Sequence, residues 1–417
     1  MLLLFDLEAN GHHASFLYYL ARHWQGDEPL HAVVSAEWRT LPPDLASLTN
    51  VEWHPISESE QAAYEQSKRS LLRHTIVEWR LFFRYAKRLR ARHSLIMMID
   101  RFQLPLALGL RAPCTLAGIY FRPKSHLPPE HPSLKTTLTH QRERLLWRRA
   151  LQHPQLKTLF SLDPFAVPHL QALSDSAAVV ALPDPVEMLP PNEQTVTRER
   201  FGIDPERNVL LLFGQIDSRK GIFVLLDALE QLSEAEQQQT TLLLVGSIVS
   251  AEKSQIQQRI QAVRKTTTVQ IVVHDTFIPQ AEISGFMQLA DGVLLLYQAV
   301  HVGSSGVLLW AAAFEKPVLA TEHGLIGRHV RSRQLGLTVD SASASAVANG
   351  LQAMLEEQIV FDPAAARQFA AENSAQNYAQ TLYAELTKRC QVSGNRQQGE
   401  SGRVYKQVVA PSSDDRR

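Results

Sequence analysis

Two segments of this 417-residue chain combine small residues with positive charge in a way that suits a phosphorylated ligand. The first is Phe213-Gly214-Gln215-Ile216-Asp217-Ser218-Arg219-Lys220-Gly221, where an apolar run closes on glycine, a polar loop follows and Lys-Gly opens a helical pattern. Glycine lets the backbone come close to a ligand. A helix N-terminus offers unpaired N–H groups and partial positive charge, and Lys220 adds a full charge suited to a diphosphate. A solvated strand-to-helix loop has the same spelling. The second segment, His301-Val302-Gly303-Ser304-Ser305-Gly306, stands directly before an apolar helical pattern. Its glycines and serine hydroxyls suit phosphate oxygens, and they equally suit an ordinary serine N-cap. Neither segment is specific alone. Two such loops at the carboxyl ends of strands in one sheet would lie where open α/β sheets bind ligands.

The elements that must position these loops follow from the apolar periodicity. Leu2–Leu7 reads as a buried strand, Ala14–Trp24 as a helix and Ala32–Val34 as a second strand, with the turn Asn10-Gly11-His12-His13 between the first strand and its helix. Residues 57–93 read as helical, 95–99 and 114–121 as strands, 141–150 as a basic helix, and 159–162 and 179–182 as further strands. Pro183, Pro185, Pro190 and Pro191 mark a linker. Beyond it, strands at 209–213, 241–245, 269–274, 292–296 and 317–321 alternate with helices at 221–232, 251–263, 280–289, 306–314 and 344–356. This rhythm predicts two doubly wound parallel-sheet α/β domains of Rossmann-like type facing across a cleft. The predicted boundaries are 1–182 for the first domain and 183–362 for the second. A helix over 363–390 is expected to pack back on the first domain, and the polar tail 391–417 is expected to be disordered.

Composition narrows the function classes. Lys+Arg and Asp+Glu are equal at 42 each, which gives no overall pull toward nucleic acid. Residues 1–182 carry roughly five more basic than acidic side chains, so the first half suits an anionic acceptor or surface. Two cysteines, Cys114 and Cys390, are too few for a disulfide framework and fit a reducing, cytoplasmic setting. No apolar run approaches the roughly 18 residues of a membrane span. Met1–Phe5 lacks the basic leader and apolar length of a signal peptide. Between Lys68 and His93, the residues Arg73, Arg80, Arg84, Lys87, Arg88, Arg90 and Arg92 interleave with Trp79, Phe82 and Phe83. A basic amphipathic helix of this kind can make weak peripheral contact with an anionic membrane. The plainer reading, aromatics in the core and arginines in water, is preferred.

Taken together the later segments resemble the retaining GT-B type glycosyltransferases of group 1 (family 4-like), firmly over about residues 205–355. The resemblance implies transfer of a sugar from a nucleoside-diphosphate sugar to an acceptor hydroxyl, a saccharide, lipid or small molecule, with no metal and no further cofactor. It implies that Lys220 holds the donor diphosphate with Gly214, Gly303, Ser304, Ser305 and Gly306. Gln215 stands where the family usually has arginine, and Arg219 is a candidate substitute. His274–Pro279 resembles the segment on the donor base, which assigns base contacts to Phe277 and Ile278. The family's two glutamates, eight positions apart, align with Val302 and Trp310, neither of which carries a carboxylate. His301 is a candidate sugar contact in their place.

In the first half, Gly11, His12 and His13 occupy the position of the family's glycine-rich loop. That assigns the two histidines, as catalytic candidates, to acceptor hydroxyls or leaving-group charge. Arg101 and Arg122 are candidate acceptor or anion contacts. Two other readings stay open: a scaffold that binds nucleotide without transfer, and a sugar-nucleotide epimerase of similar architecture.

Overall fold

The computed structural model describes residues 1–8, 13–39, 43–121, 123, 126, 134–187, 196–299 and 301–388. Gly11, His12, Arg122, Cys390 and the tail 391–417 lie outside them.

The first domain comprises β1 (Leu2–Asp6), α1 (His13–Arg22), β2 (Leu30–Val34), α2 (Pro43–Ala46), β3 (Val51–Pro55), α3 (Glu58–Ser67), α4 (Leu71–Arg88), β4 (His93–Ile96), α5 (Gln103–Ala107), β5 (Thr115–Tyr120), α6 (Leu134–Ala150), β6 (Leu156–Ser161), α7 (Val167–Gln171) and β7 (Ala178–Ala181). The second comprises β8 (Asn208–Phe213), α8 (Ile222–Leu229), α9 (Glu234–Gln238), β9 (Thr240–Val245), α10 (Lys253–Thr266), β10 (Gln270–His274), α11 (Gln280–Leu289), β11 (Gly292–Leu295), α12 (Gly306–Ala313), β12 (Val318–Thr321), α13 (Gly324–Arg333), β13 (Gly336–Val339), α14 (Ala344–Leu355) and α15 (Pro363–Glu372). A last helix, α16, covers 375–388.

Every strand pairing is parallel. The seven-stranded sheet runs β3-β2-β1-β4-β5-β6-β7 and the six-stranded sheet β10-β9-β8-β11-β12-β13. In each sheet the chain winds outward from a central strand, returns, and winds the other way. The order therefore switches between β1 and β4 and between β8 and β11, which opens a crevice at their carboxyl ends. Both faces of each sheet are covered. Leu3 and Phe5 of β1 enter one core while Leu2 and Leu4 enter the core on the opposite face. That is why the strands read as continuous apolar runs rather than alternating ones. On the first of these faces the aromatics of α4 supply the packing, with Phe82 edge-on to Phe5 at 5.5 Å.

Besides the short helices α2, α5, α7 and α9, other features escape the sequence pattern. Residues 57–93 form two helices and a strand start, broken between Ser67 and Leu71, because Ser70 takes an extended N-cap conformation. β3 escapes the pattern because Val51-Glu52-Trp53-His54-Pro55 offers only two apolar residues in alternation before proline, too short a signal for a strand. α13 also escapes the pattern, although the chain from Gly324 is helical for ten residues.

The chain crosses between the domains twice, side by side. Val186 pairs with Ser374, and the Asp184 N–H donates to Asn373 Oδ1 at 3.0 Å. After the second crossing Tyr378, Ala379 and Leu382 are buried in the core formed by α1 and β2 of the first domain. α15 packs instead within the second domain, where Phe369 and Ala370 are buried. Phe165, just after β6, meets His329 (5.4 Å between ring centres) and the Arg328 guanidinium (5.6 Å), both on α13 after β12. The carboxyl-end loops of the two sheets thus face each other.

Candidate functional site

On the second domain the two candidate loops converge at the switch between β8 and β11. Gly214 ends β8 with φ +93°, and a Cβ there would lie 3.0 Å from Lys220 Nζ. The loop turns through Asp217, whose carboxylate caps the Lys220 N–H at 3.2 Å, and Gly221 (φ +75°) opens α8. A side chain at Gly221 would collide with the Leu296 carbonyl, so the loop closes tightly on β11 only because that residue is glycine. Lys220 itself is only 5% exposed. Its ammonium donates to the Phe213 carbonyl and lies 5.4 Å from the centre of the Tyr297 ring. Burial pushes its pKa below the ordinary 10.5 and Arg219 adds to the shift, while Tyr297 and Asp217 oppose it. Arg219 is half-buried, 5.4 Å from the same ring, with Nε 3.5 Å from Asp217. Gln215 is exposed.

Tyr297 joins the two loops, and sequence reasoning did not single it out. The signal was a lone tyrosine ending the Leu294-Leu295-Leu296 run. Its hydroxyl meets Ser305 Oγ at 3.1 Å, and the His301 ring stacks on it at 4.3 Å. Ser341 Oγ donates to the Tyr297 carbonyl at 2.7 Å and sits 3.1 Å from Thr321 Oγ1. Ser305 occupies the N-cap of α12 but makes no side-chain cap, because its hydroxyl is committed to Tyr297. The first turn of α12 is therefore not closed by Ser305, unlike an ordinary serine N-cap. Gly303 and Gly306 face open space, since a Cβ at either would meet nothing within 4 Å. Ser304 is held through its carbonyl, 3.1 Å from His301 Nε2.

The remaining donor-side candidates lie apart from this cluster in their contacts. Phe277 is 80% exposed, whereas Ile278 is buried. Val302 serves the backbone: its carbonyl accepts from Leu325 N at 3.0 Å, and Gly324 approaches it closely. Trp310 turns toward the core, edge-on to Phe213 at 5.9 Å.

On the first domain His13 begins α1, with Nδ1 2.7 Å from Asp6 Oδ2. Its ring stacks on Phe121 at 5.9 Å. Burial disfavours the imidazolium, but the hydrogen bond and charge of Asp6, helped by Glu8, outweigh it and raise the pKa above 6.5. His13 is thus an oriented histidine rather than a solvated one, and Asp6 is the partner that sequence reasoning missed. Arg101 lies beside it in a different role. Its guanidinium donates to Glu8 at 2.6 Å and to Tyr64 at 2.9 Å, with Glu78 at 3.4 Å. One cation thus faces two carboxyl groups. Burial raises the Glu8 pKa, but Arg101 outweighs it and holds Glu8 at about 2. Glu78 is more deeply buried and desolvation dominates, so its pKa is pushed up to about 8 despite Arg101. We assign the charge to Glu8 and the proton to Glu78, since Glu8 has the shorter contact. Arg101 is saturated by these internal partners, which weighs against a free anion-binding role. Arg122 lies outside the described residues.

Two parallel α/β domains whose carboxyl-end loops face each other, with a phosphate-suited cradle on the second, define the GT-B class of glycosyltransferase fold. Residues 193–377 match the family model described as glycosyl transferases group 1. The lipopolysaccharide glucosyltransferase WaaG of Escherichia coli K12 is 32% identical over 131 residues, 31% of this chain and 32% of its own length. The D-inositol 3-phosphate glycosyltransferase of Jonesia denitrificans is 25% identical over 206 residues, 48% of this chain and 46% of its own. The chain thus spans a third to a half of the curated relatives it matches. Among solved structures, Anabaena HepE in complex with UDP superposes with TM-score 0.64 at 16% identity, covering 93% of this chain and 99% of that one. WaaG superposes with TM-score 0.56 at 17% identity, covering 94% and 99%. At such identities the likeness shows the fold.

Proposed function

We propose that this chain transfers a sugar from a nucleoside-diphosphate sugar to an acceptor hydroxyl. The observation that carries the reading is the buried Lys220 ammonium beside Tyr297, with Gly303 and Gly306 facing open space at the start of α12. A buried ammonium whose pKa stays lowered despite Tyr297 and Asp217 is further compensated when an anion arrives. The diphosphate lies between Lys220 and Ser304–Gly306, with Gly214 and Gln215 lining the approach and Arg219 supplying the second positive charge. The base packs beside Phe277 and Ile278, and His301 reaches the sugar. As the glycosidic bond breaks, the charge growing on the leaving diphosphate is met by fixed dipoles and these cations. No metal or further cofactor is assigned a part.

His13, oriented by Asp6, is the acceptor-side candidate; Gly11 and His12 are assigned with it from the family resemblance alone. Closure about the double crossing would exclude water and limit hydrolysis. Retention of configuration follows from the family resemblance and a cytoplasmic setting from the low cysteine count, and the UDP complex of HepE supports a nucleotide donor. The test is a thermal-shift screen of nucleoside diphosphates and their sugars, since a ligand specific to the native state stabilises it by mass action. Acceptor-dependent release of nucleoside diphosphate then follows. Binding without such release would favour the scaffold reading, and no binding at all would remove the donor site.

A second surface bears on the acceptor. Leu71, Leu72, Ile76 and Phe83 of α4 are exposed beside Arg80, Arg84, Lys87 and Arg88. Apolar side chains rimmed by arginine suit weak peripheral contact with an anionic bilayer and a lipid-borne acceptor. No helix among the described residues is long and apolar enough to cross a membrane. Co-sedimentation with anionic but not neutral vesicles, lost in Leu72→Ser with Phe83→Ser, tests it.

A further inference from the structure

Away from both loop clusters, on the edge of the first sheet, three metal-competent side chains meet on one face. His31 of β2 stands opposite Glu52 of β3, and His54 follows Glu52 by two residues. Residues opposed across paired strands, or two apart along one, point the same way. His31 Nδ1 lies 3.0 Å from His54 Nε2 and 3.3 Å from Glu52 Oε2. The donor atoms of all three lie within 4.8 Å of one another. His31 and His54 are half-buried while Glu52 is exposed, so the cluster has fixed ligands on one side and an open approach on the other.

A tetrahedral ion bound at 2.0–2.1 Å holds its ligand atoms about 3.3 Å apart. The His31–Glu52 spacing already matches, whereas the two imidazole nitrogens must move apart by a few tenths of an ångström and their rings must tilt so that both lone pairs converge on the ion. The arrangement without metal is not self-sufficient. The ring centroids are 5.3 Å apart with the rings 9° from parallel, so the two nitrogens face each other nearly head-on. Only one proton can sit between them, and Glu52 competes for it.

We propose that His31, Glu52 and His54 form a binding site for a divalent transition cation of borderline softness, with Zn2+ as the representative ion. Two imidazoles and a carboxylate are a zinc-type donor set that leaves a fourth position to water. The ion clips edge strand β3 to β2 and takes no part in sugar transfer. Arg88, in the last turn of α4, bears electrostatically on His54 and opposes the ion. This opposition provides a directional test.

The experiment is calorimetric titration of the chelator-treated full chain with Zn2+ at pH 7.5, where neutral imidazole is the ligand form. One equivalent is expected to bind. Its affinity should fall at least tenfold in Glu52→Gln and in His54→Asn, by comparison with the tenfold to hundredfold loss typical of a disturbed outer-shell group. It should rise in Arg88→Gln. Substitution by Co2+ should give visible absorption bands that both ligand variants lose. Glu52 is exposed, so Glu52→Gln is expected to leave the fold intact, checked by circular dichroism. No stoichiometric binding, or affinity unchanged in both ligand variants, would overturn the site and leave an N–H···N bond only.

Discussion

Replacing Lys220 by methionine separates a ligand-binding lysine from a structural one. Methionine keeps the apolar stem and removes the ammonium, so packing around Tyr297 and Gly214 is largely retained. The ammonium is buried beside the Phe213 carbonyl and Tyr297, and burial lowers its pKa despite the opposing effects of Tyr297 and Asp217. Removing it is therefore expected to leave stability unchanged or to raise it. Between the lowered folded pKa and the ordinary 10.5 the unfolded chain binds more protons, so this lysine makes stability rise with pH there. That rise should vanish in the variant. Toward a diphosphate the sign reverses. A hydrogen bond to a charged partner is worth about 1.5–3 kcal/mol, which corresponds to a roughly tenfold to hundredfold loss of affinity. Calorimetry with the nucleoside diphosphate that binds the native chain tightest reads the second effect, and thermal unfolding reads the first. Affinity within twofold of native, or a large loss of stability, would refute the reasoning and make Lys220 a structural residue.

Three further outcomes are expected. Phe277→Ala should change stability by less than about 0.5 kcal/mol because the ring is exposed; if the base stacks there, donor affinity should fall by about 1–3 kcal/mol in calorimetry. Asp6→Asn should lose the stabilisation that the raised His13 pKa provides. That contribution is full below pH 6.5 and fades as pH rises through the raised value, so denaturant titrations should differ most from native in acid and converge in alkali. Glu78→Gln should do the opposite. The native carboxyl holds its proton up to about pH 8, against 4.5 when unfolded, so native stability falls across that window while the variant's should not. Equal pH profiles for Glu78→Gln and native protein would mean that Glu78 is ionised against Arg101.

The parallel strands were legible because both faces of each sheet are buried and the apolar runs are unbroken. β3 was not, because edge strand Val51–Pro55 carries Glu52 and His54 on its accessible side. The loop after β8 was legible from glycine spacing, since φ values of +93° and +75° at Gly214 and Gly221 favour that residue. What escaped were partners distant in sequence. Tyr297 matters because Arg219 and Lys220 come from another strand to meet its ring. Asp6 matters because α1 folds His13 back onto it. Arg101 illustrates the opposite error. As an isolated arginine in sequence it suggested an anion site, whereas Glu8 and Glu78, 93 and 23 residues away, already hold it. The basic stretch of α4 read correctly in part: Trp79 and Phe82 are buried and the arginines face water, but Phe83 and the leucines at the helix start are exposed.

The return of α16 to the first domain bears on the order in which the protein can be made. Tyr378, Ala379 and Leu382 have no solvent exposure and complete the hydrophobic layer against α1. A ribosome delivers them only after both sheets. Until they emerge, the first domain carries an uncovered apolar strip, so it reaches its finished state only once the whole second sheet has been made.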